Sequence, residues 1–129
     1  MTSFEHRVFE LTNIERRKHS LTALIWDDAL AWVARKHSQD LAANNIFSHI
    51  GSDGSLPEHR VRRAGIIAEF LGENICGGRD SPEAVIKDWM NSTGHRANIL
   101  HIDIIYLGVG AAFAPASRLK FYVTQVFGR

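Results

Sequence analysis

The order of hydrophobic patterns along the chain predicts an α+β fold in a single domain spanning residues 1–129. Apolar residues recur at helical spacing through most of the sequence, and β-branched and aromatic runs collect at its C-terminal end. No linker-like change of composition, internal repeat or low-complexity tract divides the two. Helices first and strands last exclude a repeating βαβ architecture.

Each element carries its own signal. From Ser3 to His19, residues Phe4, Val8, Leu11 and Ile14 fall on one helical face with charges between them. "ALIW", Ala23 to Trp26, is β-prone. Asp27 or Asp28 caps a second helix that runs to Asn44, with Leu30, Val33, Ala34, His37 and Leu41 in phase and Asn44-Asn45 as its stop. "SDGS", Ser52 to Ser55, is turn chemistry, because Asp-Gly supplies a positive-φ position without strain. Ser55, with Pro57 behind it, opens a third helix to about Ala64. Ser81-Pro82 opens a fourth in the same way, carrying Ala84, Val85, Ile86, Trp89 and Met90, and Gly94 reads as its stop. "IDIIYLGVGAAFA" and "LKFYVTQVFG", separated by "PASR", then predict an antiparallel hairpin. In its second strand Leu119, Phe121, Val123, Gln125 and Phe127 share one face; Lys120, Tyr122, Thr124 and Val126 share the other. Gly108 and Gly110 lie inside a strand with no helix after them, so they mark a close approach of another segment and not a dinucleotide fingerprint.

Composition narrows the function. The 15 basic and 14 acidic residues leave a formal charge of +1, which gives nucleic acid no electrostatic footprint. No apolar run is long enough to span a membrane. The one cysteine, Cys76, excludes an internal disulfide and a cysteine-based zinc site, and its apolar neighbours predict a small buried residue. The N-terminus is amphipathic and charged, unlike a secretory leader, which leaves open a cytoplasmic protein or an exported one whose leader is gone.

Seven histidines invite a site, but no H-E-x-x-H or other short metal motif is present. His6, His19, His37, His59 and His101 have the charged neighbours of exposed or capping residues. His49 in "IFSHIGSDG", Glu73 in "LGENICGG" and His95 in "GHRANIL" instead sit at junctions between elements, where separate segments converge. Ser48 and Ser92 lie near these histidines, with Glu73 as a conceivable orienting acid, but neither serine is in a nucleophile-elbow pattern. Asn74 and Asn98 are expected to satisfy loop backbone near the site, Arg96 to pair with an acid or lie solvated at its rim, and Gln125 to be a buried amide with a specific partner. Trp26, Trp32 and Trp89 read as core anchors.

Taken together and in order, "NIERRKHSLTALIWDDALAWVARKHSQDLAANNIFSH…DG", "GENI", "WMNSTGHRANIL", "LGVGAAF" and "FYVTQVFG" resemble the CAP superfamily of cysteine-rich secretory proteins, antigen 5 and pathogenesis-related 1 proteins, also called SCP domains, in its compact bacterial form. The likeness runs from about Phe4 to Gly128. It implies an α-β-α sandwich of about four helices around a small central antiparallel sheet. It also implies a cavity lined by two histidines and two acids that in several members binds zinc or another divalent cation. On this chain those positions are His49, Glu73 and His95. Where many members carry the second acid the sequence has Ser92, and Asp88 and Glu83 are the acids on the same helix that could stand in for it.

Two neutral imidazoles and one carboxylate are a legitimate zinc set with an open position for water, so the resemblance leaves a metal at His49, Glu73 and His95 in play. Three functions follow. The first is a binding module, extracellular or at the cell envelope by resemblance, whose cleft takes a divalent ion, a small molecule, a lipid, a polysaccharide or a protein partner. The second is a zinc-dependent hydrolase with Glu73 as its candidate catalytic group. The third is a structural domain whose polar cluster serves stability alone.

Overall fold

The computed structural model describes residues 1–129. In chain order its elements are α1 (Ser3–Lys18), β1 (Ile25–Trp26), α2 (Asp28–Asn44), α3 (Pro57–Arg63), β2 (Phe70–Gly77), α4 (Pro82–Met90), α5 (Thr93–Ile99), β3 (Tyr106–Phe113) and β4 (Phe121–Gly128). The four strands form one sheet in the order β1-β3-β4-β2. β3 and β4 are the expected hairpin, paired from Tyr106↔Gly128 to Phe113↔Phe121, and β2 runs antiparallel along the other side of β4. The sheet is mixed and not purely antiparallel, because β1 pairs with β3 in parallel, Ile25 opposite Tyr106 and Trp26 opposite Leu107.

Helices cover both faces. Alternation along the strands sends Leu107 and Val109 of β3, with Val123 and Phe127 of β4, into a core shared with Val8 of α1, Val85, Ile86 and Trp89 of α4 and Ile99 of α5. The opposite face packs Val126 against Leu30, Val33 and Ala34 of α2 and Val61 of α3. Residues as deeply buried as Val8, Leu107 and Phe127 each stabilise the fold by about 1.5–3 kcal/mol. The glycines of β3 explain how close α2 lies. A Cβ on Gly108 would collide with the backbone of Leu30 and Ala31, and one on Gly110 with that of Ala34 and Arg35.

The predicted caps of α2 and α4 and the stop after α2 hold, and α1 carries a capping box besides. Thr2 and Glu5 form a capping box on α1, the Asp27 side chain caps α2, and that of Ser81 caps α4. Asn45 ends α2 in the left-handed conformation at φ 52°, and Gly54 supplies the turn at φ 83°. The cap of α3 is Leu56 and not Ser55; its N–H donates to His59 Nδ1 at 3.3 Å.

Because β1 has only two residues, the outer edge of β3 is open beyond Leu107. Buried Glu5 closes it. Its carboxylate accepts the Ala111 N–H at 2.9 Å, two Arg35 N–H groups at 2.9 and 2.8 Å, and the Thr2 N–H at 2.9 Å. Burial alone would raise the pKa of this carboxyl; the Arg35 hydrogen bond, followed by those from Thr2 and Ala111, outweighs it and holds the group below its ordinary value.

Two further sequence expectations fail here. Gly94 is no helix stop: α4 ends at Met90 with Asn91 as its C-cap, Ser92 is the next N-cap, and Gly94 and His95 lie in the first turn of α5, a fifth helix where about four were expected. Trp32 is not a core anchor. It is about half exposed on the outer face of α2, with Lys36 Nζ 5.5 Å from its ring centre, whereas Trp89 is fully buried and donates to the Ile75 carbonyl at 3.0 Å.

Candidate functional site

β2 is an edge strand, and its side chains alternate between the two helical layers. Asn74 points toward α1 and α5. Its amide donates to Gln125 Oε1 at 2.9 Å and to the His95 carbonyl at 3.1 Å, and it accepts from Asn98 at 2.8 Å. Gln125 passes the chain of bonds to Thr12 Oγ1 at 3.2 Å, and Thr12 donates to the Val8 carbonyl. This buried relay of uncharged groups locks α5 to the sheet and to α1, and so positions His95. Outer carbonyls of β2 are covered by side chains, that of Glu73 by Asn98 and that of Ile75 by Trp89.

Glu73 points the other way, toward α2 and α3, and is buried. Its Oε1 accepts from His49 Nδ1 at 2.7 Å and its Oε2 from Arg60 at 2.8 Å. The other terminal nitrogen of Arg60 donates to the carbonyls of His49 at 3.0 Å and Ser55 at 2.8 Å. The loop after α2 is tied down a second time by His37, whose Nε2 lies 2.8 Å from the Ser48 carbonyl. Since a carbonyl only accepts, this nitrogen carries the proton and His37 Nδ1 is a bare acceptor. Nδ1 of His37 and Nε of Arg60 are both buried without a partner.

The bond to Glu73 fixes His49 in turn. A carboxylate accepts, so Nδ1 carries the proton, and in the neutral ring Nε2 presents a lone pair with no partner in the protein. His95 lies close enough for His49 to act on its charge. Burial first, and His49 second, hold the pKa of His95 below the ordinary histidine value, against a smaller pull from Asp88. His37 is likewise held low, mainly by burial, with Glu73 and Arg60 acting in opposite directions.

His95 opens onto a cleft of about 280 Å³ at the β2 edge, walled by Phe47, Ile75, Gly77, Trp89 and Ser92 and by the pair Cys76 and Asp88. Ser92 makes no cap bond to α5, so its hydroxyl is uncommitted. Asp88 accepts two bonds from Arg79, at 3.1 and 3.3 Å, and the Cys76 thiol approaches it at 3.5 Å. Arg79 is the main reason the Asp88 carboxyl stays below its ordinary value. Burial, then Asp88, pushes the Cys76 thiol up to about 12, so this cysteine is unreactive as well as buried.

The structure thus brings His49 and Glu73 into contact, sets His95 within electrostatic reach of His49, and places His95 and Ser92, but not His49 or Glu73, on the wall of the cleft. Of the two acids that could replace the missing one, Asp88 reaches the cleft, while Glu83 turns to Arg7 of α1. Arg96 pairs with no acid and donates instead to His19. His37 corrects the expectation of an exposed or capping residue: it is only 1% exposed. His59 and His101 do accept backbone N–H groups as expected. Arg60 carries no motif that would single it out in the sequence. Its signal is slight, a basic residue beside Val61 on a short helix between a turn and an apolar strand. No three histidine, cysteine, aspartate or glutamate side chains gather in a geometry suited to a metal ion.

This fold has counterparts. A family model described as the cysteine-rich secretory protein family, CAP, matches residues 9–127. The chain belongs to the CAP family. Two Bacillus subtilis relatives are the protein YkwD, 42% identical over 110 residues and 85% of this chain, and the membrane protein YlbC, 38% identical over 109 residues and 84% of this chain. The chain spans 43% and 32% of their lengths. Among solved structures, an extracellular SCP-domain protein of Bacillus anthracis is 35% identical with a TM-score of 0.84, over 97% of this chain and 40% of that one. An outer surface protein of Borrelia burgdorferi, at 21% identity and a TM-score of 0.88 over 100% of this chain and 95% of that one, shows the same fold.

Proposed function

We propose that this CAP domain is a ligand-binding module of the cell exterior, not a hydrolase, and that its cleft recognises an uncharged polar ligand through His49, His95 and Ser92. One observation carries the reading: both oxygens of Glu73 are engaged, one by His49 and one by Arg60, in a buried pair. A carboxylate neutralised by a guanidinium is a poor general base and a poor nucleophile. What remains for a ligand is the bare Nε2 of His49, the neutral ring of His95 and the hydroxyl of Ser92, with exposed Phe47 as an apolar wall. Such a set of donors and acceptors without net charge suits hydroxyl or amide groups, as in a saccharide, better than an ion or a fatty chain.

Zinc held by His49, Glu73 and His95 does not fit this arrangement, because Glu73 would first have to leave Arg60. An exterior location is supported by the likeness to the extracellular Bacillus anthracis protein.

Histidine-ring NMR tests the reading. Titration with neutral saccharides, N-acetylated amino sugars among them, should shift the His49 and His95 signals and leave those of His6 in place; Ser92→Ala should weaken the binding severalfold. Ring signals of both cleft histidines that stay still across the series, or an ester or amide hydrolysis rate that disappears in Glu73→Gln, would sink it.

A further inference from the structure

We propose that the groove between α2 and α3 is a second binding site, for a sugar acid whose ring lies on Trp32 and whose carboxylate is met by Lys36 and Arg63. No residue of this groove lines the His95 cleft, so the inference stands whether or not the uncharged ligand proposed above binds there.

The groove consists of two adjoining hollows that share Lys36, Arg60 and Arg63. The first, of about 230 Å³, is completed by Trp32, Val33 and Ala64, so that it holds three cations and no acid. The second, of about 190 Å³, is completed by His37, Asp40 and the turn from Ser52 to Ser55, and no apolar residue lines it. Each is smaller than the roughly 300 Å³ at which pockets for drug-sized molecules begin, so the space suits one ring with its substituents.

The three cations are not equally committed. Arg60 is buried and is spent on Glu73. Arg63 holds Asp53 at 2.9 Å in a pair whose side chains are 62% and 54% exposed, which water already weakens. Lys36 is exposed and enters no ion pair. Its Nζ lies 5.5 Å from the ring centre of Trp32, four residues earlier on the same face of α2. An ammonium on a flexible stem moves from a ring to an incoming anion at little cost. The acids of the second hollow, Asp40 and Asp53, already accept the N–H groups of Ser52 and Ser55. The first hollow is therefore the place for a negative group.

Trp32 and the second hollow decide the rest of the ligand. An indole half exposed beside the groove offers a flat apolar face. The second hollow is wholly polar, and two of its wall residues, His37 and Arg60, each bury one nitrogen without a partner, so the wall is short of hydrogen bonds. A pyranose acid matches both parts, with C–H bonds on its face, hydroxyls around its edge and one carboxylate. An aromatic acid would satisfy the indole and Lys36 but would bring nothing to the polar wall.

The test follows the tryptophan indole N–H signals by NMR during titration with methyl β-glucuronide or methyl β-glucoside, a pair that differs only in carboxylate for hydroxymethyl. The acid should shift the Trp32 signal and leave in place that of Trp89, which is bonded to the Ile75 carbonyl. It should also bind at least about tenfold more tightly than the neutral sugar. Lys36→Gln should bring the two sugars within about threefold of each other, and Trp32→Ala, read by saturation transfer to the ligand, should lose most of the binding. Both side chains are exposed, so both variants should fold. A Trp32 signal that the acid leaves unmoved would overturn the proposal, as would a preference for the acid that survives Lys36→Gln. Phenylacetate binding as tightly as the glucuronide would overturn the ligand class. Shifts at His49 and His95 without one at Trp32 would assign the sugar to the other cleft and remove this site.

Discussion

The two faces of the sheet bury polar groups in opposite ways. On the α1 and α5 side, Asn98, Asn74, Gln125 and Thr12 form a relay in which uncharged groups answer one another. On the α2 and α3 side, Glu73, Arg60 and His37 form a cluster that carries charge and leaves two buried atoms without partners. A complete neutral relay rigidifies and specifies; a charged cluster with unpartnered atoms is where a fold keeps something other than stability. His95 is set by the first and His49 by the second, so the two regimes meet where the charge of one histidine acts on the other.

Removing one partner of the charged cluster should break the comparison most visibly. Glu73→Gln or Arg60→Met strands a buried charge and is expected to cost about 3–5 kcal/mol in chemical denaturation. Gln125→Leu, which deprives Asn74 of its acceptor and Thr12 of its donor, should cost about 1–3 kcal/mol. Equal losses would mean that the two faces do not differ as described.

Proton linkage sharpens the contrast. His37 and His95 have pKa values below those of the unfolded chain, so the unfolded state binds more protons as pH falls. The stability they contribute is complete above about pH 6.5 and is lost progressively below it. Each histidine can add a slope of up to about 1.4 kcal/mol per pH unit. His37→Gln keeps a donor for the Ser48 carbonyl and removes the titrating ring, so it should flatten the slope of stability between about pH 7 and 5. An unchanged slope would assign the effect elsewhere. Ser92→Ala marks the small end: with no cap bond to lose, it should shift stability by no more than about 0.5 kcal/mol while weakening ligand binding.

How much of this was legible depends on where the information resides. Helices α1 and α2 and the β3–β4 hairpin were readable because one period runs through each of them unbroken. The same holds for the buried amide of Gln125, betrayed by sharing a face with Phe121 and Val123. β2 was hidden because Glu73 and Asn74 interrupt its apolar run and Gly72 and Gly77 flank them; its polar residues are buried only because partners arrive from other segments of the chain. α5 was hidden by Gly94, whose position reads as an end and serves as a beginning. His49, Glu73 and His95 could be named as positions, but that Glu73 answers to Arg60 is a fact of packing between a seven-residue helix and an edge strand. The same packing buries His37, and the outer surface of α2 leaves Trp32 in the open, against the usual habits of both residue types.

The clamp of Glu5 and Arg35 over the open edge of β3 has a consequence for how copies of the molecule behave toward each other. Without it the strand from Val109 to Phe113 would offer an unpaired backbone donor at Ala111, close to an exposed Phe113. Strand pairing between copies needs just such a place to start. Glu5→Leu should therefore be recognised first by concentration-dependent association in sedimentation experiments, before any loss of secondary structure, which makes this one carboxylate a guard against edge-to-edge pairing.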